Sequence, residues 1–431
     1  MPNLYHTTTL VQMDARLLRL KAFLVNAVLT EMEDQSTVHQ NNREAVRLSL
    51  VEACERTKAD LKPEERDRIV DSALADLIGY GPLDLLLPDG ELSEIMVNGA
   101  KQIFVERNGE LFETDVKFDN DDHLLRIIDR IVSPLGRRVD SDNPTADARL
   151  PDGSRVNVII PPVAIDGPHL TIRKFLQTKI TMDDLVSMGE LTPHMAKFLE
   201  ACVVTRLNIL VTGNTSSGKT TVLNALSGFI PDRERIVTIE DAVELKLKQR
   251  HVVRLETKQP NVDGSGAVSV RELVRNALRM RPDRIVVGEV RGGEAMDMLQ
   301  AMNTGHTGSL TTLHANLPRD AISRLETMAM MAGLDMPMLA IRKQIASAVN
   351  LIVHLARLSD GSRKMTHITE LSGMESDVVT LTDIFKFDQT GITPKGKIIG
   401  QLRPTGMRPL FTPRLEASGF KLGGEIFGAG L

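Results

Sequence analysis

The stretch Gly213-Asn-Thr-Ser-Ser-Gly-Lys-Thr220 has the spacing G-x4-G-K-[ST] of a phosphate-binding loop. Apolar residues 208–212 precede it and predict a strand, and residues 220–229 predict a helix, which is the context that this motif requires. Its glycines let the backbone curl so that successive N–H groups face bound phosphates. The stretch predicts a P-loop ATPase of the α/β class, with nucleotide contacts from Gly213, Asn214, Thr215, Ser216, Ser217, Gly218, Lys219, Thr220 and Thr221.

Two side chains of this loop have a defined chemistry. Lys219 is expected to reach the β- and γ-phosphates, and the Thr220 hydroxyl is expected to bind Mg²⁺. The helix that begins at this point also directs its positive end toward the phosphates. The expected ligands are therefore ATP and Mg²⁺.

Two carboxylates follow apolar strands in the same part of the chain. Glu289 comes directly after residues 284–288, and Glu240 and Asp241 come directly after Ile239. Because the carboxyl ends of parallel strands form the ligand-binding edge of an open α/β sheet, Glu289 or Glu240 could hold Mg²⁺ or orient the attacking water. The alternatives are a surface glutamate at a strand end and a helix-capping acidic pair.

Two histidines, His306 and His314, flank the predicted strand at residues 309–313. Zinc binding is one interpretation, although a third ligand at suitable spacing is missing. A core or capping role is the second interpretation. The third is sensing of the γ-phosphate, because a histidine can donate to it and lose that partner after hydrolysis.

Basic residues are concentrated between residues 137 and 173. Five arginines occur there within about forty residues: Arg137, Arg138, Arg149, Arg155 and Arg173. One interpretation is a solvated basic face. The other is that some of them reach a nucleotide at a domain or subunit boundary, where arginine stabilises the charge of a transferring phosphate.

The first part of the chain predicts two different structures. Residues 1–78 contain apolar residues at near-helical spacing, and Pro63 and Gly79 are typical of a helix start and stop. Residues 79–175 change to short alternating strands around a helix at residues 123–132. This pattern predicts an N-terminal helical region followed by a small α+β domain. Its predicted strands are residues 94–98, 102–106, 147–150 and 156–160.

The rest of the chain predicts a larger domain. Residues 176–190 lack a clear period and are expected to form a linker. Residues 191–431 alternate apolar strands and amphipathic helices, which predicts a parallel sheet with helices on both faces. The predicted strands are residues 208–212, 236–239, 285–288, 309–313 and 351–355, and the helices are 220–229, 270–280, 294–303 and 319–332. A β-meander and a short tail follow residue 364.

Composition limits the function classes. The net charge is −5, aromatic residues make up 3% of the chain and Trp is absent, which disfavours a direct role in nucleic-acid binding. Cys54 and Cys202 have no metal-binding spacing and are expected to be buried free thiols. No apolar run is long enough to span a bilayer, so membrane contact is expected only through partners.

Several motifs together resemble the type II/type IV secretion and pilus ATPases. They are the phosphate loop, Thr238-Ile-Glu-Asp241-Ala, Pro282-Asp-Arg-Ile-Val-Val-Gly-Glu-Val-Arg291 and the segment from Thr304-Gly-His306 to Leu313-His314-Ala-Asn. The stretches Glu94-Ile-Met-Val-Asn-Gly99, Gly136-Arg-Arg-Val-Asp140, residues 147–157 and Leu170-Thr-Ile-Arg-Lys-Phe175 resemble the Tad (Flp) pilus branch. The similarity extends from about residue 76 to the C-terminus.

The resemblance implies a RecA-like ATPase domain preceded by a smaller α+β domain. It further implies a homohexameric ring with ATP between the two domains of each subunit. Such a ring would be cytoplasmic and peripheral at the inner membrane, where it docks on a platform protein. There it would drive pilin extrusion and in some systems retraction.

The resemblance also implies roles for individual residues. Lys219 and Thr220 would bind phosphate and Mg²⁺, and Glu289 would be the Walker B glutamate, which also serves Mg²⁺. Glu240 would belong to the acidic box associated with water activation, and which of the two glutamates is the general base stays open. His306 and His314 would form the histidine box. Arg149, Arg155 and Arg173 would reach the nucleotide.

Two other functions are consistent with a P-loop. A RecA-like nucleic-acid translocase is the main alternative, although the acidic charge and the few aromatic residues disfavour it. The second is a nucleotide-gated scaffold, which the presence of both Glu240 and Glu289 disfavours. The four-cysteine zinc module of classical type II secretion ATPases is absent from the sequence, so zinc dependence is not expected.

Overall fold

The computed structural model describes residues 4–5, 15–34, 42–107, 109–175, 180–258, 260, 264–394 and 396–428. Two compact units divide the chain, Met1–Gln177 and Thr178–Leu431. Each unit has its own hydrophobic core. Cys54 lies in the first unit and Cys202 in the second, and both are buried and free, as predicted.

The first unit begins with a three-helix region. Its helices are α1 (Ala15–Asp34), α2 (Arg43–Arg56) and α3 (Pro63–Ile78). Pro63 is the first residue of α3, where its missing N–H costs nothing, and Gly79 is the C-cap, as predicted. Apolar side chains of all three helices pack into one cluster that includes Leu24, Leu50 and Leu74. The predicted helical content of residues 35–41 lies outside the described residues.

A seven-stranded sheet and the helix α4 (Asp121–Val132) complete the first unit. Its strands are β1 (Leu4–Tyr5), β2 (Leu92–Asn98), β3 (Ile103–Arg107), β4 (Glu110–Thr114), β5 (Thr145–Arg149), β6 (Arg155–Ile159) and β7 (His169–Arg173). They lie in the order β1-β4-β3-β2-β7-β6-β5, and only the β1–β4 pair is parallel. The helix α4 buries one face, including Leu124 and Ile127, against this sheet's core.

The second unit alternates helices and strands. Its helices are α5 (Met182–Ser187), α6 (Pro193–Val204), α7 (Lys219–Ser227), α8 (Val270–Ala277), α9 (Glu294–Asn303), α10 (Pro318–Met331), α11 (Met338–Ala348) and α12 (Thr412–Ala417). Its strands are β8 (Ile209–Gly213), β9 (Ile236–Glu240), β10 (Val252–Glu256), β11 (Arg284–Val287), β12 (Leu310–His314), β13 (Leu351–Arg357), β14 (Arg363–Glu375), β15 (Val378–Ile392) and β16 (Ile398–Pro404).

These strands form one nine-stranded sheet in the order β10-β9-β11-β12-β8-β13-β14-β15-β16. The pairs from β10 to β13 are parallel, and the pairs from β13 to β16 are antiparallel. Strands β8, β9 and β11 are buried along their whole length, because helices cover both faces of the parallel part. The carboxyl ends of β8, β9, β11 and β12 therefore meet at one edge of the sheet.

Several elements differ from the sequence-based expectations. The helix α5 lies inside the predicted linker, and its buried Met182 and Leu185 belong to the core of the second unit. Six residues are too few for a helical period to stand out in a sequence. The strand β1 lies within the segment predicted to be helical, and two residues cannot show a strand alternation. The strands β4, β7 and β10 and the helices α11 and α12 have no counterpart among the predicted elements.

Candidate functional site

The phosphate loop connects β8 to α7. At Gly213 a side chain would collide with the carbonyl oxygen of Leu355 and the hydroxyl of Ser217. Gly218, directly before α7, has a φ of +95°, which lies in the region that favours glycine. The buried hydroxyl of Ser217 donates to the Asn214 carbonyl at 2.8 Å and closes the loop. Both glycines are thus required by the backbone path.

The remaining loop residues differ in exposure. Asn214, Thr215 and Ser216 are exposed at the outer side of the loop. Thr220 and Thr221 lie half-buried in the first turn of α7. The nine predicted nucleotide-binding residues therefore form one continuous curve from the end of β8 into α7.

Lys219 lies inside the curve of the loop. Its side chain is 8% exposed, and its ammonium donates to the Asn214 carbonyl at 3.1 Å. The same Nζ lies 3.3 Å from Nδ1 of His314. Burial lowers the pKa of Lys219, while the charge of Glu289 raises it. No carboxylate forms an ion pair with this ammonium in the described structure, so its charge stays available for a phosphate.

His314 connects Lys219 to Glu289. It ends β12 and pairs in register with Gly213 of β8, so it lies at the height of the phosphate loop. Its Nε2 is 2.9 Å from Oε1 of Glu289. Burial lowers the pKa of His314, the effect of Glu289 being opposite and smaller. A neutral ring fits the contact with Lys219, because Nδ1 can then accept from the ammonium. Oε1 of Glu289 lies close to Nε2 but accepts no hydrogen bond from the described residues.

Arg291 binds the other oxygen of Glu289. Its guanidinium donates to Oε2 at 2.7 Å and lies 3.9 Å from a carboxylate oxygen of Asp241. The hydrogen bond to Glu289 raises the pKa of Arg291. Lys219, His314, Glu289 and Arg291 therefore form a continuous row of polar contacts along the carboxyl edge of the sheet, which we call the edge cluster.

Glu240 has a different set of contacts. It ends β9, beside the end of β11, and its side chain is 3% exposed. Its Oε1 accepts from the backbone N–H groups of Glu244 at 2.8 Å and Leu245 at 3.0 Å. A side chain at Gly288 would press against the Cγ of Glu240. The two glutamates thus occupy neighbouring strand ends, but Glu240 holds the loop that follows it.

The structure does not bring the two histidines together. His306 lies in the loop before β12, where its backbone N–H donates to the Ala301 carbonyl at 3.2 Å. This loop is at the amino ends of the parallel strands, on the edge of the sheet opposite to the phosphate loop. The assignment of His306 to the phosphate site of its own chain is therefore corrected. Among the described residues, neither histidine belongs to a group that could hold a metal, which disfavours the zinc interpretation.

A groove of about 590 Å³ opens beside the loop. It is lined by Asn214, Thr215, His314, Ala315, Asn316, Asp320, Ser323, Arg324 and Thr327. The outer residues of the phosphate loop and His314 face the same groove, so a phosphate bound by the loop would have the edge cluster beside it.

The three candidate arginines lie in the first unit and form a row. Arg149 pairs in register with Arg155 across β5 and β6, and Arg155 pairs with Arg173 across β6 and β7. Directly opposite residues of neighbouring strands point to the same face of a sheet. Arg173 also binds Glu94, with Nε and a terminal nitrogen 2.8 Å and 2.7 Å from one carboxylate oxygen. We call these three adjacent arginines the arginine strip.

Comparison with known proteins decides the family. Residues 77–391 match the family described as Type II/IV secretion system protein. A protein of Mycobacterium tuberculosis named for conjugal transfer is 37% identical over 313 residues, which are 71% of this chain and 88% of that protein. The type IV secretion system protein VirB11 of Bartonella quintana is 32% identical, over 67% of this chain and 90% of its own.

The chain belongs to the Type II/IV secretion system protein family. The crystal structure of the VirB11 ATPase from the Brucella suis type IV secretion system, in complex with sulphate, is 29% identical. It covers 67% of this chain and 95% of its own, with a TM-score of 0.38, so the assignment rests on the sequence match. The predicted fold class, a RecA-like P-loop domain preceded by an α+β domain and a helical region, is confirmed.

In this secretion-family chain, sequence reasoning missed Arg291. The residue stood within the motif that follows β11, but no role was assigned to it because its partner Glu289 is only two residues away. Such a pair forms only where the chain leaves the strand and turns, which a periodic pattern cannot reveal. None of the described helices is both long and apolar enough to cross a membrane.

Proposed function

We propose that this protein hydrolyses ATP to drive a type IV pilus or related secretion machine of the Tad (Flp) branch. The observation that carries the proposal is the edge cluster, in which a buried lysine of the phosphate loop contacts His314, and His314 contacts Glu289. This arrangement brings a phosphate-binding charge and a carboxylate that can orient water to one edge of the sheet. Family membership supports the same function.

The residues of the site have the following roles. The N–H groups of the loop and Lys219 bind the β- and γ-phosphates. Glu289 orients the attacking water, and His314 keeps that carboxylate in position. Glu240, which holds the loop after β9, acts by positioning. His314 reports the γ-phosphate, because Lys219 must exchange a contact with the ring for one with the phosphate.

The residues also fit a magnesium ion. The Thr220 hydroxyl and the Glu289 carboxylate are oxygen donors, which Mg²⁺ prefers, and both belong to the loop and strand ends that would surround the phosphates. When bound, the ion neutralises charge on the phosphate oxygens. Glu289 would hold it through water, so that its carboxylate keeps the contact with His314.

The assembly is part of the proposal. Six copies form a ring, and the strip of Arg149, Arg155 and Arg173 contributes positive charge to the nucleotide's phosphates within it. The register of the three arginines supports this role, because it places their side chains together on one face of the sheet. The ring works at the cytoplasmic face of the inner membrane, on a platform protein.

The test is ATP turnover by the purified protein. Wild type should release phosphate in the presence of Mg²⁺, and Lys219→Ala should lower the rate by about 10²–10³-fold, as loss of a charge-stabilising group does. Lys197→Ala, which changes an exposed lysine of α6, is the matched control and should turn over normally. Turnover by Lys219→Ala at the wild-type rate would contradict the proposal. Stimulation of the wild type by DNA would favour a nucleic-acid translocase instead.

A further inference from the structure

A third histidine lies beneath the phosphate loop. His354 is in β13, which is the neighbour of β8 on the side away from β12. It is 2% exposed and pairs in register with Thr212, the residue directly before Gly213. Its Nδ1 lies 2.8 Å from the Thr212 hydroxyl oxygen. The next residue, Leu355, brings its carbonyl oxygen against Gly213, so β13 contacts the base of the loop twice.

The same ring also reaches the segment after β12. The backbone of Asn316 lies near the ring and favours its protonated form, which raises the pKa of His354. Asn316 lies two residues after His314 and lines the groove beside the phosphate loop.

The protonation state suits this double contact. Burial and, to a smaller extent, the neighbouring His367 lower the pKa of His354 to about 4. The ring is therefore neutral at working pH, with one nitrogen that donates and one that accepts. The Thr212 hydroxyl can rotate to donate to Nδ1. A neutral His354 thus connects two segments of the site without adding a charge below the phosphates.

We propose that His354 is a positioning residue that fixes the phosphate loop relative to the segment that carries His314. It is buried and is not among the residues that line the groove beside the phosphate loop. It holds Thr212 and Asn316 at a set distance, so that Lys219 and His314 are aligned before the nucleotide binds. The inference rests on the proposed ATP hydrolysis and adds a residue that touches none of the reacting atoms.

Steady-state kinetics separate this role from general packing. His354→Leu should lower kcat by about 10- to 100-fold, since small misplacements of catalytic groups cost this much, while KM changes less than about 3-fold. His354→Gln can accept from Thr212 and donate to Asn316, and it should restore kcat to within a few-fold of wild type. His194→Leu, which changes an exposed histidine of α6, is the control, and it should leave both constants unchanged.

A double-mutant cycle with Thr212→Val tests the contact itself. If Thr212 and His354 act as one unit, the double variant should be no slower than His354→Leu alone. Independent, multiplying losses would overturn the inference. So would a wild-type kcat in His354→Leu, or a His354→Gln variant that is as slow as the leucine variant while it is equally stable to urea.

Amide hydrogen exchange gives a measurement that does not need turnover. His354→Leu should exchange faster than wild type at residues 213–218 and 314–317, and His354→Gln should not. Faster exchange spread evenly over the second unit would indicate general destabilisation and contradict the inference. If the wild type hydrolyses no ATP, the proposed function fails, and this exchange pattern still decides whether His354 couples the two segments.

Discussion

Two clusters of this protein contain a lysine, a histidine and acidic side chains, but only one of them is built like a site. In the edge cluster, Lys219 contacts a backbone carbonyl and His314, beside an open groove. In the first unit, Lys21 is 4% exposed and lies between two carboxylates, 2.8 Å from Asp76 and 2.9 Å from Asp119.

The histidines of the two clusters differ in the same way. His123 is 1% exposed, with its two ring nitrogens 3.2 Å from Asp76 and 3.4 Å from Asp119. We call Lys21, Asp76, Asp119 and His123 the helix-docking cluster, because it joins α1 and α3 to α4. Its positive charges are neutralised by carboxylates within hydrogen-bond distance, whereas Lys219 retains its charge for a ligand. Residue types therefore do not distinguish the two clusters, and the distribution of partners does.

The most decisive test of the edge cluster is a substitution of its carboxylate, Glu289. Glu289→Gln should bind ATP and hydrolyse it about 10²–10⁴-fold more slowly, because the charge that orients water is removed. Glu240→Gln should also bind ATP and be slowed, but less, since its carboxylate holds a loop. Phosphate release and nucleotide affinity are measured for both. Equal rates for Glu289→Gln and wild type would show that this carboxylate is structural.

The two lysines should have opposite effects on stability. Lys21→Met leaves Asp76 and Asp119 without their cation, and we expect a loss of about 3 kcal/mol in the free energy of unfolding, at the low end for buried pairs because Asp119 is partly exposed. Lys219→Met removes a buried charge that has no carboxylate partner, so stability should be unchanged or higher. Urea unfolding measures both. A loss of stability in Lys219→Met would contradict the proposed difference between the two clusters.

The arginine strip should affect turnover more than folding. Arg173→Ala removes an exposed ion pair with Glu94, which is worth about 0.2–1 kcal/mol or less. ATP turnover should fall by at least about 10-fold if the strip meets the nucleotide's phosphates. The control is Glu94→Gln, which breaks the same ion pair and keeps the arginine. A slow Glu94→Gln variant with a normal Arg173→Ala variant would contradict the proposed role.

The smallest expected effect is a pH dependence in the helix-docking cluster. Burial tends to lower the pKa of His123, but Asp119 and Asp76 raise it above its ordinary value of about 6.5. A raised pKa stabilises the fold below pH 6.5, and the contribution is lost as the pH rises through the folded-state pKa. His123→Gln should therefore lose more stability at pH 6 than at pH 9. Urea midpoints at both pH values measure it.

The control for that measurement is His354, a histidine of the second unit. His354 has its pKa lowered to about 4, so it destabilises the fold as the pH falls below 6.5. His354→Gln should therefore gain stability relative to wild type at low pH, which is the opposite sign. Parallel pH profiles for the two histidine variants would show that neither pKa shift governs stability.

Local patterns predicted the parts of the site that are continuous in sequence. The phosphate loop and the strand that ends before Glu289 both depend on neighbours within a few residues. His306 was misplaced for a related reason. A strand of five residues is about 17 Å long, so two histidines that flank it lie at opposite edges of the sheet.

Clusters assembled from distant segments could not be predicted from the sequence. Lys21, Asp76 and His123 come from three helices and have no spacing that would connect them. The contact between Thr212 and His354 spans 142 residues and requires the strand order of the finished sheet. The arginine strip is intermediate, because the residues were noticed as a group but their register needed the pairing of β5, β6 and β7.

The position of Asp76 has a practical consequence for anyone who shortens this protein. The family match begins at residue 77, which invites expression from that point. A chain that starts there would lack Lys21 and Asp76, and it would also lose the Asp76 carbonyl that accepts from Arg130 at 2.8 Å. Buried groups of α4, including His123, would be left facing solvent or one another. The segment that matches the family is therefore shorter than the segment that has to be expressed to keep the helix-docking cluster intact.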